Sequence, residues 1–538
     1  MADFSQVGKA IVSAAGALLL LTISMRGNED GVFQVSTECL ACHNSLMTPS
    51  GEDVSIGADW RGTMMANSSR DPYWQAGVRR ETMDHPSASK EIEDECTICH
   101  MPMSTTMARA SGRKGKMFDY LPIGKRTTED GQLAADGVSC TLCHQVTSQK
   151  FGTPESFTGG YVVDAKLPAP RPIFGRFEVS PGHTTVMRSA TGFKPTESRH
   201  IEQSELCATC HTLYTKALGP RGQVLGRLPE QVPYLEWRHS AFREEKSCQA
   251  CHMPAVLEET PITNVLGQPR KGFPKHVFRG GNFLMLRMLN RYRADLGVTA
   301  TPHEIDASVR RTVEHLQSET ASVSIAHSVL AYGKLDIDVD VHNLAGHKFP
   351  TAYPSRRAWL HLTVKDQTGR TVFESGAVTT KGQIAGNDND ADAARYEPHY
   401  TEVRNADEVQ IYESIMVDSN GTVTTGLLNA LRFIKDNRLL PRGFDKTSAE
   451  PDIAVVGDAA KDGDFIEGRD RVRYSVDVGA AGGPFQIEVE LRFQPISFRW
   501  ADNLRKYDAP EPKRFVSYYD AMSAASSEMI SRTTLTVR

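Results

Sequence analysis

All ten cysteines of this 538-residue chain fall into five Cys-x-x-Cys-His motifs, with none left over. The motifs are Cys39/Cys42/His43, Cys96/Cys99/His100, Cys140/Cys143/His144, Cys207/Cys210/His211 and Cys248/Cys251/His252. The spacing has a chemical reason. Two sulfurs separated by two residues reach neighbouring edges of one porphyrin and form thioethers with its vinyl groups, and the adjoining histidine is placed beneath the iron. The motifs therefore predict five covalent haem c groups, with the ten cysteines as thioether partners and the five histidines as proximal ligands. A disulfide framework would not follow every second cysteine with a histidine. A structural zinc site gathers four nitrogen or sulfur ligands in one place, and five identical units do not pair off to supply it.

Composition narrows the function further. Lys and Arg number 61 against 66 Asp and Glu, and each haem adds two propionates, so the loaded protein is acidic. No basic stripe is present, which excludes nucleic acid as a partner. Attachment of haem to Cys-x-x-Cys-His takes place outside the cytoplasm, so the chain must be exported, to the periplasm or the cell surface. Residues 1–26 fit a signal peptide or N-terminal anchor. Lys9 precedes the apolar run Ala10 to Ile23, which has the length of a signal-peptide core but is short of the ~20 residues of a spanning helix.

The motifs are confined to residues 39–252, and turn-forming pairs such as Gly159-Gly160 and Pro181-Gly182 are frequent there. Residues 27–282 are read as a pentahaem domain of short helices and long loops shaped by the porphyrins. A helical connector is expected over 283–330. Thr301-Pro302 with Glu304 marks a helix start, and Ile305, Val309, Val313 and Leu316 follow at helical spacing. Over 331–510 the period changes to two. Leu335, Ile337, Val339 and Val341 alternate with Asp336, Asp338 and Asp340, and similar runs occur at 472–478 and 487–493. This predicts an antiparallel, sandwich-like β domain. Residues 511–538 are expected to form a C-terminal helix or tail, giving an α+β chain overall.

What faces each iron on its other side decides function. A second histidine or methionine makes an electron carrier, and an open position makes a candidate catalytic centre. Beyond the five proximal histidines, twelve remain. Context favours His85, His200, His239, His276 and His347 as distal ligands, with His399 and His183 in reserve. His200 and His239 approach motifs four and five. His276 precedes Gly280-Gly281, where backbone can lie close to a porphyrin. His347 follows a predicted strand. His303, His315 and His327 are read as ordinary connector histidines. Asp388, Asp390 and Asp392 resemble the start of a calcium loop, but Ala393 and His399 stand where that loop needs Gly and Glu, so a solvated acidic loop is the leading reading and calcium the alternative. No catalytic residue is assigned.

The haem half resembles multihaem c-type cytochromes, in the broad group that includes the tetrahaem cytochrome of ammonia oxidisers and extracellular respiratory cytochromes. The likeness rests on Trp60 to Trp74, Cys96 to Pro102, Ser204 to Tyr214 and Cys248 to Pro254, and on Gly346-His347-Lys348-Phe349-Pro350-Thr351 in the second half. It implies that the β domain caps the haem domain and that His347 reaches back to a haem. The chain departs from pentahaem nitrite reductases, because each of its motifs ends in histidine rather than one in lysine. The expected function is an exported electron carrier with mostly bis-histidine haems. It would be fed by a redox protein or a membrane quinol-oxidising complex and drained by another cytochrome or a terminal acceptor. The alternatives are an oxidoreductase with one open haem acting on a small nitrogen or sulfur compound, and a filament-forming extracellular cytochrome built from copies of the chain.

Overall fold

The computed structural model describes residues 31–538, so the expected export segment at 1–26 lies outside the described residues. Up to residue 282 the chain forms short helices, loops and small two-stranded sheets. The longest helices here are Pro72–Asp84 and Ser89–His100. The first starts where the sequence dictates. The Asp71 carboxylate accepts from the Tyr73 and Trp74 amides, and Pro72, which has no amide to leave unpaired, occupies the first turn. Several motifs lie on helices of only four or five residues, such as Cys140–Cys143 and Cys248–His252. Helices this short have little stability of their own and depend on what packs around them.

Close backbone approach fixes motif three. Gly137 adopts φ +65°, and a Cβ there would stand 2.7 Å from the Ala66 carbonyl oxygen. Its neighbour Val138 donates to Met65 and accepts from the Trp60 indole at 3.1 Å. Gly137→Ala is therefore expected to cost about 1–3 kcal/mol through strain and collision. Denaturant titration of the haem-loaded protein checks this, and an unchanged midpoint would mean that the 65–66 segment yields freely.

The predicted helix start is present. Thr301 and Glu304 form a reciprocal capping box at the head of helix Pro302–Glu319, which packs against Phe283–Arg291. The helical run ends earlier than the 283–330 connector expected. Ala321–Ala331 is a strand paired with Lys334–Asn343, and alternation at Ala321, Val323 and Ile325 outweighs helical propensity once a partner strand is available. The 511–538 segment also divides. Pro510–Asp520 is helical, whereas Glu528–Val537 pairs antiparallel with Phe485–Gln494 and completes a sheet.

The second half is built on two sheets. One runs Thr371–Ser375, Arg357–Lys365, Phe485–Gln494, Glu528–Val537. The other runs Glu402–Val403, Arg469–Asp477, Lys334–Asn343, Ala321–Ala331. Pairing is antiparallel apart from Glu402–Val403. The apolar members of each alternating run, including Ile337, Val339, Val472, Leu362 and Val489, belong to one buried core. The polar members face outward in register. Arg471 pairs with Asp340 at 2.6 Å, Arg473 with Asp338 at 2.8 Å, and Ser475 donates to Asp336 at 2.7 Å. The fold is thus α+β. The halves are joined by helix Pro510–Asp520 lying along Pro72–Asp84, with Arg79 on Glu511 at 2.8 Å and the Tyr73 and Phe515 ring centres 4.9 Å apart. Among the described residues no helix is long and apolar enough to cross a membrane.

Candidate functional site

One cavity of about 1430 Å³ lies mainly in the first half, with part of its wall from the second, and all ten motif cysteines and all five motif histidines line it. Motifs distant in sequence meet on its wall. Cys39 stands against Cys140, Cys99 against Cys210, and Cys207 against Cys248, each pair close enough for the sulfurs to interact. Cys143 is within electrostatic reach of Cys207 and Cys210. Motif four is therefore the node of the array. It touches motifs two and five, lies next to motif three, and reaches motif one through motif three.

Four of the five motif histidines are oriented by backbone. Nδ1 of His43 is 2.6 Å from the Ile262 carbonyl, that of His144 is 2.6 Å from Phe174, that of His252 is 2.5 Å from Arg279, and that of His100 is 3.2 Å from Ser68. An N–H donated there leaves the Nε2 lone pair free, which is the tautomer a metal ligand needs. Burial pulls His100 down to about 4 and His252 to about 3, so both rings are neutral. Trp74 stacks on His100 at 4.3 Å with the planes 1° apart, which fixes that ring's rotation.

Two further histidines share the arrangement. His276 holds its Nδ1 3.1 Å from the Pro274 carbonyl, and His347 holds its own 2.9 Å from the Lys348 carbonyl. The His276 ring lies opposite His144, with centres 6.3 Å apart and planes 21° apart. The His347 ring lies opposite His252, also at 6.3 Å, with planes 11° apart. Two imidazoles held by one metal ion through bonds of about 2 Å have ring centres roughly 6 Å apart, so both pairs fit a shared iron. The cavity, the sulfur positions and these pairs fit covalent porphyrins.

The other expected distal residues lie elsewhere. His200 has its Nε2 2.8 Å from the Val146 carbonyl and its Nδ1 2.6 Å from Ser198 Oγ. His239 places Nε2 3.1 Å from the Asp445 carbonyl and meets the edge of Phe444. His85 is buried at the end of helix Pro72–Asp84. None of these three lines the cavity. His183 does line it, but both ring nitrogens are engaged, with Ser180 Oγ at 2.7 Å and the Leu266 carbonyl at 2.6 Å. His315, read from the sequence as an ordinary connector residue, lines the cavity too, with its ring 6.0 Å from His252 at 68°. Its signal was available: it follows Ile305, Ser308 and Thr312 on the buried face of its helix.

His399 lies inside the β half beside Asp462 and Asp470, in a cluster that could be taken for a metal site. Hydrogen bonding argues against that. The oxygens of Gln410 and Asn437 accept from the Tyr400 and Glu413 amides, so their NH₂ groups point at His399 Nδ1 at 2.9 and 3.1 Å. Nδ1 is thereby the acceptor, and Nε2–H donates to Asp462 at 3.0 Å with no lone pair left for a cation. The acidic loop considered for calcium is committed as well. Arg357 takes both Asp390 oxygens at 2.8 Å, and Arg395 pairs with Asp388.

A buried charge cluster anchors His347. The next residue, Lys348, places Nζ 2.8 Å from Asp436. Arg438 binds Asp436 at 2.8 Å and Glu236 at 2.9 Å. Glu236, on helix Pro233–Arg238 of the first half, also accepts from the Lys348 amide and from the Thr351 hydroxyl. Burial would raise the Asp436 carboxyl, but Arg438 and Lys348 hold it well below the ordinary range.

No protein-family model and no curated protein matches the sequence. Among solved structures, the chain is similar to a penta-heme cytochrome c552 from Thermochromatium tepidum. The identity is 15%, the TM-score is 0.54, and the match covers 94% of this chain and 99% of that one. At that identity the likeness is one of fold. It extends over both halves of this chain.

Proposed function

We propose that this chain is an exported multihaem c-type cytochrome that carries electrons through five covalent haems, receiving them from a redox protein or quinol-oxidising complex and passing them to another cytochrome or acceptor. The observation that carries this is the single cavity lined by all fifteen motif residues, with two pairs of opposed imidazoles on its wall. Haem c supplies a one-electron iron couple. The chain's residues do the rest. The Cys-x-x-Cys pairs would hold the rings, and the Nδ1 hydrogen bonds fix ligand tautomers. The proximity of cysteines from motifs two, three and five to those of motif four would bring neighbouring centres together, and the β half would deliver His347. Intact mass under denaturing conditions tests the reading. Five haem masses are expected on one polypeptide, and fewer in fully matured protein would overturn it.

One observation favours a second reading, an enzyme with an open centre. Among the described residues no second imidazole stands about 6.3 Å from His43, His100 or His211, as it does from His144 and His252. Cyanide added to the oxidised protein separates the two. A carrier with every centre closed leaves the spectrum unchanged, whereas an open centre gives a saturable shift in a fraction of the haems.

A further inference from the structure

The cations that line the cavity are mostly accounted for. Arg176 pairs with Glu202 at 3.1 Å and Arg279 with Glu319 at 2.7 Å. Arg270 donates to the Glu178 carbonyl at 3.1 Å, and Lys246 is exposed. Arg356 differs. It stands on the loop that carries His347, donates to the Thr351 carbonyl at 3.0 Å and to Asn282 Oδ1 at 2.9 Å, and has no carboxylate within 4.0 Å among the described residues. Its neighbour Arg357 has Asp390. Burial, with no opposing anion, pulls Arg356 down to about 10. A half-buried guanidinium that faces a cavity and has no carboxylate partner is open to an anion there.

Its surroundings are arranged for an anion. The Tyr73 hydroxyl, on the cavity wall, is buried without a hydrogen-bond partner; Ser355 and Tyr353 of the Arg356 loop lie near it, as do Arg80 and Asp71. Glu230 also lines the cavity, where burial and the neighbouring Glu81 push its carboxyl up to about 8, and it forms no ion pair with Arg356. Arg356 is the charge that acts on His211, the histidine of the node motif. We propose that Arg356 binds an oxyanion inside the cavity, either a propionate of a bound haem or a small soluble oxyanion. A guanidinium suits both, because its planar fork matches two oxygens at once. This rests on the haem reading above.

The test uses haem-loaded wild-type protein with Arg356→Gln and Arg356→Lys, each counted for haem by intact mass. Redox potentiometry is run beside titrations with nitrite and with sulfite, followed by absorption and EPR. A propionate partner predicts that Arg356→Gln lowers the midpoint potential of one haem, that Arg356→Lys stays near wild type, and that neither oxyanion perturbs the wild-type spectrum. A soluble oxyanion predicts a saturable wild-type response that Arg356→Gln weakens by at least about tenfold, with potentials unchanged. An Arg356→Gln protein with five haems and neither change overturns the proposal. If the glutamine variant loses haem while the lysine variant keeps it, the requirement is for the cation and the proposal stands. If both lose it, Arg356 is a packing residue and the proposal fails. A wild-type count below five is a failure of the haem reading instead, and shows before any variant is made.

Discussion

Haem-loaded protein carrying His347→Ala should keep five haems by mass yet show a new high-spin iron signal from one of them. The reason is geometric. The His347 ring faces His252 at 6.3 Å and 11°, its Nδ1 is tied to the Lys348 carbonyl, and its remaining nitrogen points across the cavity. Removing that ring opens one coordination position without touching a thioether. His347→Met should stay low-spin at a higher midpoint potential, since a thioether favours reduced iron more than imidazole does. His276→Ala should open a different centre, that of motif three, with the same signature. His200→Ala and His239→Ala should leave the spin state unchanged, because those rings bond to the Val146 and Asp445 carbonyls away from the cavity. The competitor is His315, 6.0 Å from His252 at 68°. A low-spin His347→Ala protein beside a high-spin His315→Ala protein would give the ligand role to His315.

Asp436→Ala is expected to destabilise the loaded protein by about 3–5 kcal/mol, because it strands the buried Lys348 cation. Lys348 and Arg438 both lean on Asp436 at 2.8 Å, and the Lys348 side chain is fully buried. Glu236 would remain to hold Arg438, so the cost falls mainly on Lys348. The damage should reach function too, since Lys348 follows His347 and the cluster ties that loop to helix Pro233–Arg238. Urea titration followed by absorption at the haem bands should show an early transition at His347 ahead of global unfolding. A contrasting substitution calibrates the result. Arg532→Ala breaks a pair between exposed side chains, with Glu488, and should cost less than about 1 kcal/mol, as exposed pairs do. If the two variants were equally stable, the buried cluster would not be what anchors the loop.

Much of the fold was legible because it depends on local period and local chemistry. The alternation at Leu335–Val341 predicts a strand with one buried face, and the buried residues are the apolar ones. Thr301 with Glu304 predicts a helix start by hydrogen bonds within four residues, and the box is formed. The failures share a cause. Ala321–Ala331 and Glu528–Val537 were expected in helical or tail segments, yet each is a strand because a partner strand is supplied from elsewhere in the chain. Sequence spacing also ranked His200 and His239 by nearness to a motif. Nearness along the chain does not place a ring across an iron, and both rings turned to backbone carbonyls instead.

The sequence by itself determined the five Cys-x-x-Cys-His units, since the bridging of one porphyrin is a matter of two-residue spacing and an adjoining imidazole. Only the tertiary structure decided how those units relate. That motif four neighbours motifs two and five, that His276 and His347 face His144 and His252, and that Arg356 reaches Asn282 on the cavity wall all join residues distant along the chain. Such contacts are selected by packing and by the cost of leaving a buried polar group without a partner. Those costs are set by the whole interior, and no local window of sequence contains them.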